Sequence, residues 1–141
     1  MPLLLVNRMV KYCLDTNIVS EVLRKNPVVN QHLQSALDKG NEVYICSIVY
    51  YEIVRGLKAA ASSNKLNGFL QIYRVLAKLP LDMKAIEKAV DIYVSLHRGQ
   101  QIEDNDIYIA AIAMANDCTL VTANEKHFSR IEGLTYVNWR I

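Results

Sequence analysis

The chain has little of what glycine-rich loops and membrane spans require. Only 5 of its 141 residues are glycine, and they form no loop of the kind that binds a nucleotide phosphate. No apolar run reaches the roughly 18 residues that a membrane-spanning helix needs. The apolar residues 3–6 are too few for the core of a signal peptide and follow no basic segment. The sequence therefore predicts a cytoplasmic protein.

Cysteine and histidine are also sparse, and their spacing argues against a zinc site or a nucleophilic triad. The odd number of cysteines and their apolar, strand-like surroundings predict buried free thiols in a reducing compartment. These cysteines are Cys13, Cys46 and Cys118. The histidines have no ligand spacing and fit no Ser-His-Asp pattern, so surface or helix-end positions are expected for them. They are His32, His97 and His127.

Neither sign of charge is in large excess, but the net charge of +2 conceals a group of acidic residues within an otherwise basic chain. Four of the 14 acidic residues lie where predicted strands end or predicted helices begin: Asp15, Glu52, Asp104 and Asp106. Setting these aside leaves 10 acidic residues against 16 basic ones, a net charge of +6. An acidic centre on a basic body suits a protein that holds cations in its site and a polyanion around it.

What the sequence does contain is an alternation of short apolar strands and helical patterns in a chain of single-domain length. This alternation predicts a three-layer α/β/α fold with a short, mainly parallel sheet of four or five strands. The predicted strands cover residues 10–14, 42–46, 119–122 and 135–137, with a weaker candidate at 76–79. Residues 9–141 form the predicted domain, and residues 1–8 are expected to be a dispensable extension ahead of Met9.

Helix boundaries are indicated by capping residues and by a change in apolar pattern. Gly40 is predicted to stop the helix before it, and Ser47 and Asp82 are predicted to be N-caps. Residues 107–115 are apolar on nearly every face, which indicates a deeply buried helix.

The acidic residues are predicted to converge on one edge of the sheet. Asp15 follows the first strand, and Glu52 lies in the first turns of the helix after the second strand. Asp104 and Asp106 open the buried helix and join the other acids if this helix returns from the same edge, and Asn124 follows the strand after it. In right-handed crossovers, strand ends and the starts of the following helices share the carboxyl edge of the sheet.

Each of these residues taken singly has an ordinary structural role. Asp15 suits a helix N-cap, Glu52 a solvated helix position, and Asp104 and Asp106 the first turn of a helix. Gathered together, however, the carboxylates repel one another unless a cation neutralises them. Mg²⁺ prefers such oxygen ligands and keeps positions open for phosphate, so the group predicts metal-assisted phosphoryl chemistry.

Four segments in order resemble the motifs of PIN-domain nucleases, most closely the VapC toxins of toxin–antitoxin pairs. They are residues 12–20 (YCLDTNIVS), 47–56 (SIVYYEIVRG), 106–111 (DIYIAA) and 121–128 (VTANEKHF). The resemblance covers nearly the whole chain from Met9 onward. It implies that Asp15, Glu52 and Asp106 are catalytic and bind the metal.

One position departs from the pattern of many relatives, which carry aspartate where this chain has Asn124. An amide supplies oxygen without charge, so Asn124 is expected to hold a second metal weakly. Asp104 is an additional candidate metal ligand that could restore part of the charge. Thr16, Asn17 and Thr122 are candidate supporting polar residues that orient the carboxylates.

The resemblance implies an endoribonuclease that depends on Mg²⁺ or Mn²⁺, with one or two ions in each site. It further implies that structured RNA, such as tRNA or rRNA, is cleaved and that a cognate VapB-like antitoxin inhibits the enzyme. A homodimer is implied, as is DNA binding only through the antitoxin. Basic residues that flank the acidic segments are candidate RNA phosphate contacts: Arg24, Lys25, Arg55, Lys58 and Arg98.

Three other functions remain open at the level of sequence. A phosphohydrolase with a strand-tip aspartate nucleophile usually needs a second aspartate two residues later, where this chain has Asn17. A housekeeping RNA-processing nuclease of the same fold is hard to separate from a toxin by residues alone. A catalytically weak PIN-like module that binds RNA or a partner is the third, favoured by Asn124 and opposed by the three acids.

Overall fold

Short apolar segments form a single parallel sheet at the centre of the molecule. The structure, a computed structural model, describes residues 9–96 and 101–141. The strands within these residues are β1 (Lys11–Leu14), β2 (Glu42–Cys46), β3 (Ala77–Leu79), β4 (Thr119–Val121) and β5 (Tyr136–Val137). They are ordered β3-β2-β1-β4-β5. All four pairings are parallel, so the predicted parallel sheet is confirmed with five strands.

Helices connect the strands, as the alternating sequence pattern predicts. Those of the described residues are α1 (Thr16–Leu23), α2 (Pro27–Asp38), α3 (Ser47–Ala59), α4 (Ser63–Val75), α5 (Met83–Ser95), α6 (Asp104–Ala115) and α7 (Glu125–Phe128). No described helix is long and apolar enough to cross a membrane.

Both faces of the sheet are covered. Consecutive residues of a strand point to opposite faces, yet Cys13 and Leu14 in β1 are both buried, as are Leu120 and Val121 in β4. Burial on both faces is typical of parallel sheets flanked by helices, which confirms the predicted α/β/α arrangement. The α6 helix is buried around most of its circumference through Ile109–Ala113, because it lies between the sheet and α5.

The predicted helix boundaries are confirmed at two of three positions. Gly40 follows α2 with φ +80, a left-handed conformation that glycine adopts without strain. The Ala85 N–H donates to Asp82 Oδ1 at 3.0 Å, as expected of an N-cap. The prediction that Ser47 caps α3 is wrong by one residue, since Cys46 occupies the cap. The Ser47 hydroxyl donates instead to the Leu79 carbonyl at 3.5 Å.

The cysteines are free and buried, as predicted. Their burial explains why none is available as a surface ligand or nucleophile. The predicted extension of residues 1–8 lies outside the described residues.

Candidate active site

Asp15 lies at the carboxyl end of the central strand β1 and is only 4% exposed. Its backbone N–H donates to the Val121 carbonyl at 2.9 Å, which joins it to the neighbouring strand β4. Its carboxylate caps α1 by accepting the Thr16 N–H at Oδ1 over 2.8 Å. Oδ2 accepts the Thr122 hydroxyl at 2.8 Å and the Asn17 amide at 3.1 Å. Asp15 is therefore fixed by four contacts from both sides of the strand.

Glu52 is fixed between two helices that are distant in sequence. The Thr16 hydroxyl donates to Glu52 Oε1 at 2.7 Å from the first residue of α1. The Asn105 amide donates to Glu52 Oε2 at 3.3 Å from the first turn of α6. Thr16 thus binds Asp15 with its backbone and Glu52 with its side chain, which couples the positions of the two acids.

Asp106 approaches the site from the start of α6, and its side chain is 21% exposed. His127 of α7 lies beside it, with Nδ1 at 3.4 Å from Asp106 Oδ2. The prediction of a simple helix-end role for His127 is therefore incomplete, because the short α7 helix directs this ring at a site acid. Phe128, the next residue, is fully buried and anchors α7 to the core.

The turn after β4 links the two aspartates. Asn124 donates its backbone N–H to the Thr122 hydroxyl oxygen at 2.9 Å, and that hydroxyl in turn donates to Asp15. The Asn124 side-chain amide lies 2.8 Å from His127 Nδ1. Asn17 accepts the Ala123 N–H at 3.0 Å, which ties the same turn to α1. The predicted supporting residues Thr16, Asn17 and Thr122 are thus all in contact with the acids or with this turn.

Asp104 is not brought to the other acids. It is exposed at the start of α6 and lines a groove between α5 and α6 with Val90 and Tyr93. Residues two apart on a helix project in different directions, so Asp104 and Asp106 cannot face one point. The structure places Asn105, rather than Asp104, against Glu52.

Burial and mutual repulsion perturb both aspartates. Loss of hydration raises the pKa of Asp15 from its ordinary 3.8 to about 6, although the bonds from Thr122 and Thr16 act in the opposite direction. The charges of Asp106 and Glu52 contribute to the same rise in the pKa of Asp15. Burial also raises the pKa of Asp106, and the contact with His127 opposes this rise. The three acids are therefore close enough for their charges to interact.

Because the pKa of Asp15 is raised, we expect the free energy of unfolding, measured with a chelator present, to depend on pH in this range. Between 3.8 and about 6 the folded protein binds more protons than the unfolded chain, so the contribution of Asp15 to stability is lost as the pH rises. Between roughly pH 4 and pH 7, the free energy of unfolding of wild type should fall by about 2–3 kcal/mol relative to that of Asp15→Asn. Urea unfolding at both pH values measures this. The exposed Asp91→Asn is the control, and equal pH dependence of wild type and Asp15→Asn would contradict the expectation.

A groove of about 270 Å³ opens beside Glu52 between α1, α3 and α4. Arg24 and Lys65 line it at the sides, and Glu52 and Thr16 lie at its acidic end. Arg24 also pairs with Glu21 at 3.0 Å but leaves its side chain 70% exposed. The groove therefore combines access to the acids with two cations that a polyanion can contact.

The other predicted phosphate contacts are more scattered. Lys25 is exposed just after α1, and Lys58 is exposed near the junction of α3 and α4. The guanidinium of Arg55 stacks on the Tyr51 ring at 4.9 Å, on the exposed side of α3. Arg98 lies outside the described residues.

The donor set fits a hard divalent cation, although its ligands are not already closed around one. Within residues 9–96 and 101–141, no three histidine, cysteine, aspartate or glutamate side chains surround a single ion position. Among the same residues, no salt bridge joins Asp15 or Glu52 to a lysine or arginine. Each carboxylate oxygen has two lone pairs, so the acids retain acceptor capacity beyond the hydrogen bonds they accept. A cation is the partner that would relieve their repulsion.

Three residues near the acids were not singled out by the sequence for this site. Asn105 and His127 carry side chains that suit many surface positions, and no motif spacing distinguished them. Lys65 lies in α4, which contributes no acidic residue to the site and so gave no signal. Asn105 and His127 contact acids that are 53 and 21 residues away in the chain, which a local pattern cannot report.

Fold and site together define an α/β protein with an acidic centre at the carboxyl edge of a parallel sheet. Residues 12–134 match the PIN domain family. Ribonuclease VapC2 of Rickettsia felis is 34% identical to the chain over 134 residues, covering 91% of this chain and 97% of the relative. The chain belongs to the PIN-domain family.

Solved structures agree with this assignment over nearly the full length. VapBC2 from Rickettsia felis, bound to a DNA fragment from its promoter, matches with a TM-score of 0.82 and 32% identity, covering 92% of this chain and 98% of that one. DNA-bound VapBC from Salmonella typhimurium matches with a TM-score of 0.81 and 27% identity, covering 93% and 99%. The resemblance to VapC proteins that the four motifs indicated is confirmed.

Proposed function

We propose that the protein is a metal-dependent endoribonuclease toxin, neutralised by a cognate antitoxin. The observation that carries the proposal is the meeting of Asp15, Glu52 and Asp106 at one sheet edge. Two of them raise the pKa of the third, so their charges act on a common space. Between described residues, no lysine or arginine forms a salt bridge with these three acids.

Relatives support the reaction class. The VapC2 relative from Rickettsia felis is named a ribonuclease, and its near full-length match includes the segments that carry the three acids. The aspartate-nucleophile phosphohydrolase is disfavoured, because Asn17 is committed to hydrogen bonds with Asp15 and Ala123.

The acids would hold the cation, and their neighbours would fix the acids. A bound Mg²⁺ or Mn²⁺ ion, or a pair of them, would supply charge stabilisation to the phosphodiester and make an attacking water more acidic. Asp15, oriented by Thr122, and Asp106 provide carboxylate oxygens from adjacent elements. Glu52, whose two oxygens are held by Thr16 and Asn105, would act as the proton acceptor.

The groove beside Glu52 suits an RNA substrate. Arg24 and Lys65 can contact phosphates that flank the scissile bond, since they line the path to the acids. Lys25, Arg55 and Lys58 extend positive charge over the neighbouring surface, where longer structured RNA can be bound. We propose tRNA or rRNA as the substrate class.

An antitoxin would inhibit the enzyme by binding the same surface as the RNA. The related VapBC2 from Rickettsia felis is bound to a DNA fragment from its promoter. We propose that a VapB-like antitoxin covers the acidic centre of this protein, and that DNA is bound only through that antitoxin. A cytoplasmic homodimer is the proposed state of the protein.

Mapping RNA ends in cells tests the proposed function. On induction without antitoxin, we expect growth arrest and new 5′ ends in a structured RNA species. Asp15→Asn should produce neither, and co-expression of the cognate antitoxin should suppress both.

Two outcomes would contradict this function. Arrest by both wild type and Asp15→Asn without new RNA ends would indicate a module that acts by binding alone. Altered RNA ends without arrest, indifferent to antitoxin, would indicate a housekeeping processing nuclease.

A further inference from the structure

His127 lies within contact distance of two candidate metal ligands, Asp106 and Asn124. It comes from α7, whose next residue, Phe128, is fully buried and fixes the helix to the core. The ring nitrogen Nδ1 lies 2.8 Å from the Asn124 amide and 3.4 Å from Asp106 Oδ2. With the Asn124 amide nitrogen towards the ring, Nδ1 would have to accept from Asn124 and donate to Asp106, so the opposite orientation of the amide, with its oxygen towards the ring, suits this site better.

The same three side chains suit neighbouring positions around one ion. Ligands at about 2.1 Å from an octahedral ion, at right angles to each other, lie roughly 3 Å apart. The separations from His127 Nδ1 to Asp106 and to Asn124 bracket that value. A half-turn of the Asn124 amide exchanges its nitrogen for its oxygen, so that each of the three side chains can offer a lone-pair atom to a cation.

We infer that His127 supplies an imidazole nitrogen to the cation held by Asp106, and that this ligand makes the site prefer Mn²⁺ to Mg²⁺. The inference rests on the proposed function and deepens it. Mg²⁺ takes oxygen ligands almost exclusively. Mn²⁺ also suits carboxylate oxygens but, as a first-row transition metal, binds sites of mixed nitrogen and oxygen ligands, so it gains more than Mg²⁺ from an imidazole. Asn124, a neutral ligand, leaves His127 as the group that decides metal preference on this side of the site.

Spectroscopy of bound Mn²⁺ tests this directly, without reference to catalysis. The purified full-length protein is loaded with Mn²⁺, and the electron spin echo is examined for modulation by a coupled nitrogen nucleus. Wild type should show this modulation, and His127→Gln and His127→Ala should lose it. His32→Ala is the matched control, because His32 stacks on Trp139 away from the acids, and it should keep the modulation.

Binding constants provide the second measurement. The ratio of the Mg²⁺ to the Mn²⁺ dissociation constant should fall by about tenfold in His127→Gln, and remain unchanged in His32→Ala. Circular dichroism checks that each variant is folded. Because His127 is part-exposed, its replacement should leave the core intact.

The outcomes separate the inference from the function on which it rests. Mn²⁺ that binds to wild type and is lost in Asp106→Asn, yet shows no nitrogen coupling, overturns the role of His127 and leaves the metal site standing. An unchanged metal preference in both His127 variants overturns it as well. Failure of wild type to bind Mn²⁺ at all overturns both proposals.

Discussion

Removal of divalent cations is expected to abolish RNA cleavage by the purified protein. Three carboxylates that repel one another cannot activate water without a neutralising charge, and burial already raises the pKa of Asp15 to about 6. EDTA should therefore lower the cleavage rate by roughly a thousandfold or more, the size of several kcal/mol of lost charge stabilisation. Excess Mn²⁺ or Mg²⁺ should restore the rate, measured with end-labelled RNA.

The control for this experiment is EDTA saturated beforehand with Mg²⁺, which should leave cleavage unchanged. Thermal unfolding offers an independent check, because ions that bind the folded state should raise the melting temperature of wild type. The same ions should raise that of Asp15→Asn much less. Cleavage that persists at full rate in EDTA would contradict metal-dependent chemistry.

The second large effect is expected from Asp106→Asn. The substitution preserves shape and removes one of the charges that act on Asp15, so the fold should be retained while the cation is bound weakly. We expect RNA cleavage to fall by roughly a thousandfold and growth arrest to be relieved. Because the charge of Asp106 raises the pKa of Asp15, that pKa should also fall in the variant.

Asp104→Asn is the matched control, since it makes the same chemical change two residues earlier in α6. Asp104 is exposed towards α5, so cleavage should remain within about threefold of wild type, as for most surface substitutions. Equal losses in the two variants would mean that Asp104 also serves the site. Full activity of Asp106→Asn would remove Asp106 from the proposed mechanism.

The strands illustrate how much of the fold was predictable. Short apolar runs marked all five strands. Burial on both faces gives β1, β2 and β4 a continuous hydrophobic signal, whereas β3 is mostly exposed and gave the weakest one. The right-handed connection of parallel strands then places strand ends at a common edge. That rule sufficed to bring Asp15 and Glu52 together, whereas the convergence of Asp106 depended in addition on α6 returning from the same edge.

The contacts that hold the acids were not predictable in the same way. Thr16 and Glu52 are 36 residues apart, Asn105 and Glu52 are 53 apart, and Thr122 and Asp15 are 107 apart. Such pairs depend on rotamers and on how helices pack, which leave no periodic trace in the sequence. Asp104 illustrates the opposite error. It lies two residues before Asp106, which suggested a second metal ligand, but the helix turns its side chain away from the other acids.

For this protein, the sequence by itself determined the layered α/β fold, the order of its motifs and the edge at which three acids meet. These follow from hydrophobic periodicity and from the handedness of chain connections, which are local or topological properties. Tertiary structure alone decided that His127 faces Asp106, that Asp104 turns away and that Lys65 joins Arg24 in the groove. Those outcomes depend on the directions in which individual side chains point, and these become fixed only once the core has packed.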